Sequence, residues 1–273
     1  RELLGGRYVS FEMIADAGQI LFYAAVPISL VSSVEKALIA GYPDVQIELQ
    51  EDHNIFSQIS KINGVDGGAI VMTNDSYYPI KSYKHLDFDS LNGILTSLSK
   101  LGADEGAAIQ ILIRPVRKSW AKGAKKAAKS LLHPKAESSS NPLGAVGSVA
   151  AKAMATKSEG EKKEPERQPD AIDQQKSQGV QEKIGGPVFE TMIRVVATAN
   201  DPARARLIIQ DLMAGFTHLK NPGSNGLKLY RYATPQQLAT DYIFRFFPAW
   251  WKKVVYGSQE LATLFHLPSE VIA

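Results

Sequence analysis

The residues of this chain with the clearest chemical potential are cations that follow one another without an intervening acid. Between Glu105 and Glu137 the sequence has no acidic residue. A helix predicted over 116–132 carries five lysines at positions i, i+4, i+7, i+8 and i+11, on one side. Such a stripe suits the phosphates of nucleic acid or of anionic lipid. The candidate contact residues are Arg114, Arg117, Lys118, Trp120, Lys122, Lys125, Lys126 and Lys129.

Two interpretations of this helix remain open. A tryptophan ring suits the interface of a membrane. If the lysines bind a ligand, Trp120 therefore favours anionic lipid over nucleic acid that is recognised through its bases. The alternative is a solvated helix that leads out of the domain, with Trp120 packed against the sheet, because clustered lysines are usually in contact only with water.

No other part of the sequence combines residues as an active site requires. There is no Gly-x-x-x-x-Gly-Lys-Ser/Thr loop, and the nearest stretch, Gly123 to Ser130, has no second glycine. The five histidines stand far apart without metal-ligand spacing, and the absence of cysteine excludes thiolate sites. His266 is expected to cap or pack a short helix. The sequence therefore predicts no catalytic, cofactor or metal site in this segment.

Hydrophobic periodicity predicts an α+β fold. Residues 20–25 are apolar on both faces and predict a central strand, whereas Val45, Ile47 and Leu49 alternate with polar residues and predict a strand with one wet face. Asp201 and Pro202 are an N-cap and a first-turn proline. The aromatic run at 242–253 predicts a core helix that ends before Pro248, with an interfacial anchor as the alternative.

Residues 20–49 and 188–231 are both strand–helix–strand units, which predicts two ferredoxin-like (split β-α-β) subdomains. They are expected to occupy residues 1–134 and 187–257. Residues 135–186 between them are rich in Ser, Gly, Pro, Gln, Lys and Glu and contain no aromatic side chain. This composition predicts a long disordered linker, because it offers too little apolar surface to offset the entropy of ordering. Residues 258–273 are expected to form a short helix and a connecting segment, together called the seam.

Two sequence blocks resemble a known family. The phrase at 260–268, Glu-Leu-Ala-Thr-Leu-Phe-His-Leu-Pro, resembles the seam between the non-motor N-terminal region and the motor of bacterial type IV secretion and conjugation ATPases. The blocks Val9-Ser-Phe-Glu-Met-Ile-Ala15, 20–27 and 34–44 are similar to the N-terminal regions of the same proteins. Together the blocks bracket almost the whole chain.

The resemblance implies a non-catalytic accessory region that positions the motor on a membrane complex or mediates subunit contacts. The complete protein is then expected to carry a P-loop motor beyond this segment and to work as a homo-oligomer at the cytoplasmic face of the inner membrane. Its expected partners are the motor domain, sibling subunits and the secretion complex, with DNA or anionic lipid as further candidates. The alternative is a ferredoxin-like module that binds nucleic acid, although no strand carries the aromatic stacking motif of RNA-binding sheets.

Overall fold

The computed structural model describes residues 8–16, 18–50, 55–56, 63–133, 169–247 and 254–268. The strands are β1 (Val9–Asp16), β2 (Gln19–Ala25), β3 (Gly64–Met72), β4 (Gly106–Pro115), β5 (Val188–Ala199), β6 (Leu227–Arg231) and β7 (Val254–Gly257). The helices are α1 (Val31–Gly41), α2 (Asn92–Ser99), α3 (Lys118–Leu132), α4 (Ala171–Gly185), α5 (Pro202–Gly215), α6 (Pro235–Ile243) and α7 (Ser258–Leu264). No helix within these ranges combines the length and the apolar character needed to cross a bilayer.

The strands form one seven-stranded sheet in the order β2-β1-β4-β5-β3-β6, with β7 also paired to β5. Every pairing is antiparallel. Strand β7 pairs with the first residues of β5 and β3 with later ones, so the two share one edge of β5. The prediction of a mixed α+β fold is confirmed.

The division into two ferredoxin-like subdomains is not confirmed. Strand β5, from the predicted second subdomain, lies between β4 and β3 of the first, and β3 lies between β5 and β6. Both predicted units therefore contribute to the same sheet. Similar strand–helix–strand periodicity in two segments indicates local structure, and it does not decide which strand becomes the neighbour of which.

The two faces of the sheet carry separate cores. On one face Met13, Ile109 and Val195 pack with residues of α2 and α5. On the other face Ile14 and Val196 pack with α6 and with residues 55–56. Helix α5 begins as the sequence predicts, because the Asp201 side chain accepts a hydrogen bond from the backbone N–H of Arg204.

Part of the predicted linker is ordered. Residues 135–168 lie outside the described residues, but 171–185 form helix α4, which Asp170 caps by accepting a hydrogen bond from the N–H of Asp173. Val180 is fully buried against Ala124 and Ala128 of α3. The prediction of disorder was wrong here because the mean composition of 135–186 conceals a short segment with a cap and a packing surface.

Two strand predictions were wrong. Strand β2 lies at one end of the strand order instead of the centre; it is apolar on both faces because Phe22 packs towards Phe265 and Tyr23 towards the Ile14 cluster. Residues 45–50 pair with no described strand, and Leu49 is 100% exposed. Alternation describes side chains only, whereas a strand also needs a neighbouring backbone with free hydrogen-bonding groups.

Candidate functional site

The seam helix α7 is fixed to the body of the protein at its first turn. Glu260 accepts hydrogen bonds from the backbone N–H groups of Gly257 (2.7 Å) and Ile80 (2.9 Å). The first of these is one half of a capping box, because the N-cap residue Gly257 has no side chain to accept the reciprocal hydrogen bond. One carboxylate therefore orders the start of the helix and attaches it to the loop before the Tyr83–His85 turn.

The middle of α7 is attached through Thr263. Its hydroxyl accepts a hydrogen bond from the backbone N–H of Tyr83 (2.8 Å) and donates to the carbonyl of Gln259 (2.7 Å). The carbonyl of Thr263 accepts from the hydroxyl of Ser90 (2.6 Å). Since Leu261 and Leu264 enter the core beside α2 and α5, one helix face is apolar and the other is hydrogen bonded.

The residues after α7 are attached as well. The Phe265 ring lies 5.2 Å from that of Phe11 and 5.9 Å from that of Phe22, centroid to centroid. The two ring nitrogens of His266 lie 3.0 Å from the carbonyl oxygen of Ala262 and 3.0 Å from the Asp89 carboxylate. The second contact ties the end of the seam to the loop before α2.

Lys183 joins α4 to the seam. Its ammonium nitrogen lies 2.8 Å from the Glu260 carboxylate and has no other hydrogen-bond acceptor among the described residues. Burial lowers the pKa of Lys183 below its ordinary value, and the nearby Glu260 carboxylate opposes that shift. This buried ion pair links α4 to α7 in the interior of the protein.

A cavity of about 540 Å³ opens beside this pair, between α4, α7 and the loop at 79–85. Its walls carry amide and hydroxyl groups together with charged ones, including Gln175, Gln178 and Ser258. Among the residues that the structure describes, no group of three or more His, Asp or Glu side chains is placed to hold a metal ion.

The structure brings the predicted lysine stripe together on α3. The small residues Ala124 and Ala128 of this helix are buried against α4. The five lysines of the stripe are exposed on other sides of the helix, and none of them is in an ion pair with a described residue: Lys118, Lys122, Lys125, Lys126 and Lys129. Arg117 is exposed at the N-cap position.

Arg114 and Trp120 do not belong to this stripe. The Arg114 guanidinium is paired with Glu190 (2.7 Å) and lies 3.8 Å from the ring centroid of Phe247. The Trp120 indole N–H donates to the Ser76 hydroxyl (3.3 Å), and its ring packs against Tyr77. The ring is therefore packed against the loop after β3 and only partly exposed, which differs from the exposed position that the membrane interpretation expects.

Three polar side chains form a row across the sheet that the sequence analysis did not predict. Glu12, Gln110 and Arg194 are in register on adjacent strands, and none has exposed surface. Arg194 donates to the Gln110 side chain (2.8 Å), which donates to Glu12 (3.1 Å). Glu12 also accepts from Arg245 (2.7 Å). One polar residue at an inward position of each apolar strand is the signal that would have revealed the row.

The row fastens the end of α6 and the segment that follows it onto the sheet. Gln110 donates to the backbone carbonyl of Tyr242 (3.0 Å), and Arg194 donates to that of Phe246. This part of the chain therefore covers the polar row. The predicted core helix is shorter than expected, because α6 ends at Ile243 and Phe244 is 62% exposed. Residues 248–253 lie outside the described residues.

The comparisons with known proteins give one match. A family model described as "Domain of unknown function (DUF8128)" matches residues 5–273. The seam, the polar row and the basic helix all lie inside the matched region. No curated protein and no solved structure matches the chain.

Proposed function

We propose that this chain, which belongs to the DUF8128 family, is a non-catalytic accessory region of a type IV secretion or conjugation ATPase. In this proposal it positions the motor domain on the membrane complex or mediates contacts between subunits. The complete protein then acts as a homo-oligomer at the cytoplasmic face of the inner membrane. The proposal rests first on the resemblance of residues 9–44 and 260–268 to the N-terminal regions of those ATPases.

The structural observation that carries the proposal is the fixed path of the seam. Glu260, Thr263 and His266 each make polar contacts with segments about 180 residues earlier in the chain. A flexible tether needs none of these contacts, because its function is only to keep two parts at a limited distance. A region that sets the orientation of whatever follows it needs them, since orientation is transmitted only through a rigid connection.

The alternative of a sheet that binds nucleic acid has less support. RNA-binding sheets present aromatic side chains on an open face. Here α2 and α5 pack on one face, while α6 and the segment 242–247 pack on the other. The central strands offer no open face among the described residues.

The first test is the reading frame that follows the codon for Ala273. The proposal expects a Gly-x-x-x-x-Gly-Lys-Ser/Thr loop within about a hundred residues, as the phosphate cradle of the motor. The isolated chain is expected to give no saturable heat with ATP in calorimetry. A different kind of domain downstream, or a saturable ATP site in the isolated chain, contradicts the proposal.

The second test asks whether the seam orients the motor in the complete protein. Glu260→Gln keeps the size of the side chain but removes the charge that pairs with Lys183. We expect a loss of DNA or protein transfer of about tenfold or more at unchanged nucleotide affinity, because misplacement of a working part commonly costs that much. The matched control is Glu105→Gln, which removes the carboxylate that pairs with Arg204 at the opposite end of the sheet from β7. Equal losses in both variants contradict a specific role of the seam.

A further inference from the structure

The register of the sheet places two exposed features at the same end. Ser10 of β1 pairs with Ala25 of β2 on one side and with Leu112 of β4 on the other. The chain therefore leaves β2 and β4 at one end of the sheet, from strands separated by roughly 10 Å. After β2 comes the 3-10 turn Ile28–Leu30, and after β4 comes helix α3.

The turn after β2 exposes large apolar side chains. Ile28 is 94% exposed and Leu30 is 40% exposed. Helix α1, which follows directly, has no buried residue. Single exposed apolar residues are common on protein surfaces, so Ile28 and Leu30 point to a partner only together with the charged helix at the same end of the sheet.

The helix after β4 supplies positive charge. Its stripe runs from Lys118 to Lys129, about 16 Å along the helix axis. The other exposed residues at 118–130 are Ser119 and Ser130. With Trp120 packed against Tyr77, the stripe has no exposed aromatic or large apolar side chain of its own. It is therefore suited to lie on a negatively charged surface without inserting into it.

We propose that this end of the sheet rests on an anionic phospholipid bilayer. Ile28 and Leu30 enter the boundary between headgroups and acyl chains, while the α3 lysines contact the lipid phosphates. Apolar insertion and electrostatic attraction together give stable but reversible binding, which neither supplies alone. Nucleic acid accounts only for the lysines, because an exposed isoleucine gains nothing from a phosphate backbone. The inference deepens the proposed function and rests on it for the biological setting.

The test is flotation of the full chain with vesicles of phosphatidylcholine alone or with about 30% phosphatidylglycerol, a content chosen to give a clearly negative surface potential. The wild type is expected to bind only the anionic vesicles. Changing the five α3 lysines to Gln should weaken binding at least 100-fold, since each lysine near such a surface contributes roughly fivefold. Ile28→Ser should weaken it about tenfold through lost apolar burial.

Each variant has a matched control. A double variant at the opposite end of the sheet, Lys100→Gln with Arg206→Gln, should weaken binding only a few-fold, whereas Lys122→Gln with Lys126→Gln should weaken it about 25-fold. Leu207→Ser removes another half-exposed apolar side chain and should leave binding unchanged. Urea midpoints of all variants establish that each remains folded.

Three outcomes overturn the inference. The first is equal loss in the two double variants, which indicates net charge alone. The second is wild-type binding by Ile28→Ser. The third is saturable binding of duplex DNA, measured by anisotropy, without binding to vesicles, which assigns the stripe to nucleic acid. None of these measurements involves the motor, so a chain that binds vesicles but precedes no P-loop domain refutes the proposed function and leaves this inference standing.

Discussion

At the scale of single residues, buried polar side chains connect segments that are far apart in the chain. Arg194 is the most fully satisfied of them, with the Gln110 side chain, the Tyr232 hydroxyl and the Phe246 carbonyl as acceptors. Lys183 is the opposite case, since the Glu260 carboxylate is its one hydrogen-bond acceptor among the described residues. Both hold a helix or loop against the sheet, and both are costly to disturb because water cannot replace the lost contact.

Replacing Arg194 by Lys tests the polar row. The lysine keeps the charge but loses the planar fork that reaches three acceptors, so we expect a loss of about 2–4 kcal/mol in the free energy of unfolding. The control is Arg231→Lys, since Arg231 pairs with Asp66 while 46% exposed and should cost less than about 1 kcal/mol. Urea unfolding measures both. Similar losses for the two variants contradict a structural role of the row.

The lowered pKa of Lys183 predicts that the stability of the protein depends on pH. Burial lowers its pKa in the folded state, so the unfolded chain binds more protons in the range between that value and the ordinary lysine pKa of 10.5. The free energy of unfolding therefore rises with pH across this range. Relative to Lys183→Met, the wild type should gain stability as the pH rises towards 10.5, measured by urea unfolding. A difference that stays constant with pH contradicts the prediction.

At the scale of secondary-structure elements, α4 depends on its neighbour. Its own sequence has a weak apolar face, and its burial comes from Val180, which packs on the alanines of α3, and from Ser177, which donates to the carbonyl of Ala128. An isolated helix of this length is marginal in water, so the order of α4 has to come from tertiary contacts.

Hydrogen exchange tests this dependence. Amides of residues 171–185 should exchange far more slowly than those of 44–50, which belong to no helix or strand. Val180→Ser should raise exchange throughout α4 by about tenfold or more, because it removes the main apolar contact. Ile172→Ser is the control, since Ile172 is exposed on the same helix. Equal effects of the two substitutions mean that packing on α3 does not hold α4.

At the scale of the whole molecule, the central pair β4–β5 joins the two halves of the sequence in one sheet. These strands are in register over Gly106 to Pro115 and Phe189 to Thr198. Strand β3 adds a second connection because both of its neighbours come from the C-terminal half. The halves therefore share one core on each face, and we expect them to unfold together.

Limited proteolysis tests this unity. The composition of 135–168 predicts that trypsin cuts first between Lys157 and Arg167. The two fragments should remain associated in size-exclusion chromatography and unfold in urea as a single transition, because the cut breaks no pairing of the described sheet. Separation of the fragments without denaturant contradicts the shared sheet.

The sequence by itself determined the local features of this protein. The cap at Asp201, the lysine stripe of α3 and the short helix at 258–264 follow from residues within a few positions of one another, and the structure contains all three. Caps and helical faces are readable in this way because their physical causes are local.

Only the tertiary structure decided the strand order, the edge position of β2 and the partners of Arg114 and Trp120. It also showed that α4 is ordered and that Glu12, Gln110 and Arg194 form one row. Each of these depends on contacts between residues far apart in the sequence, such as Ile80 with Glu260 across 180 positions. Many pairings satisfy the same hydrophobic pattern, and the choice among them depends on how the complete set of side chains packs.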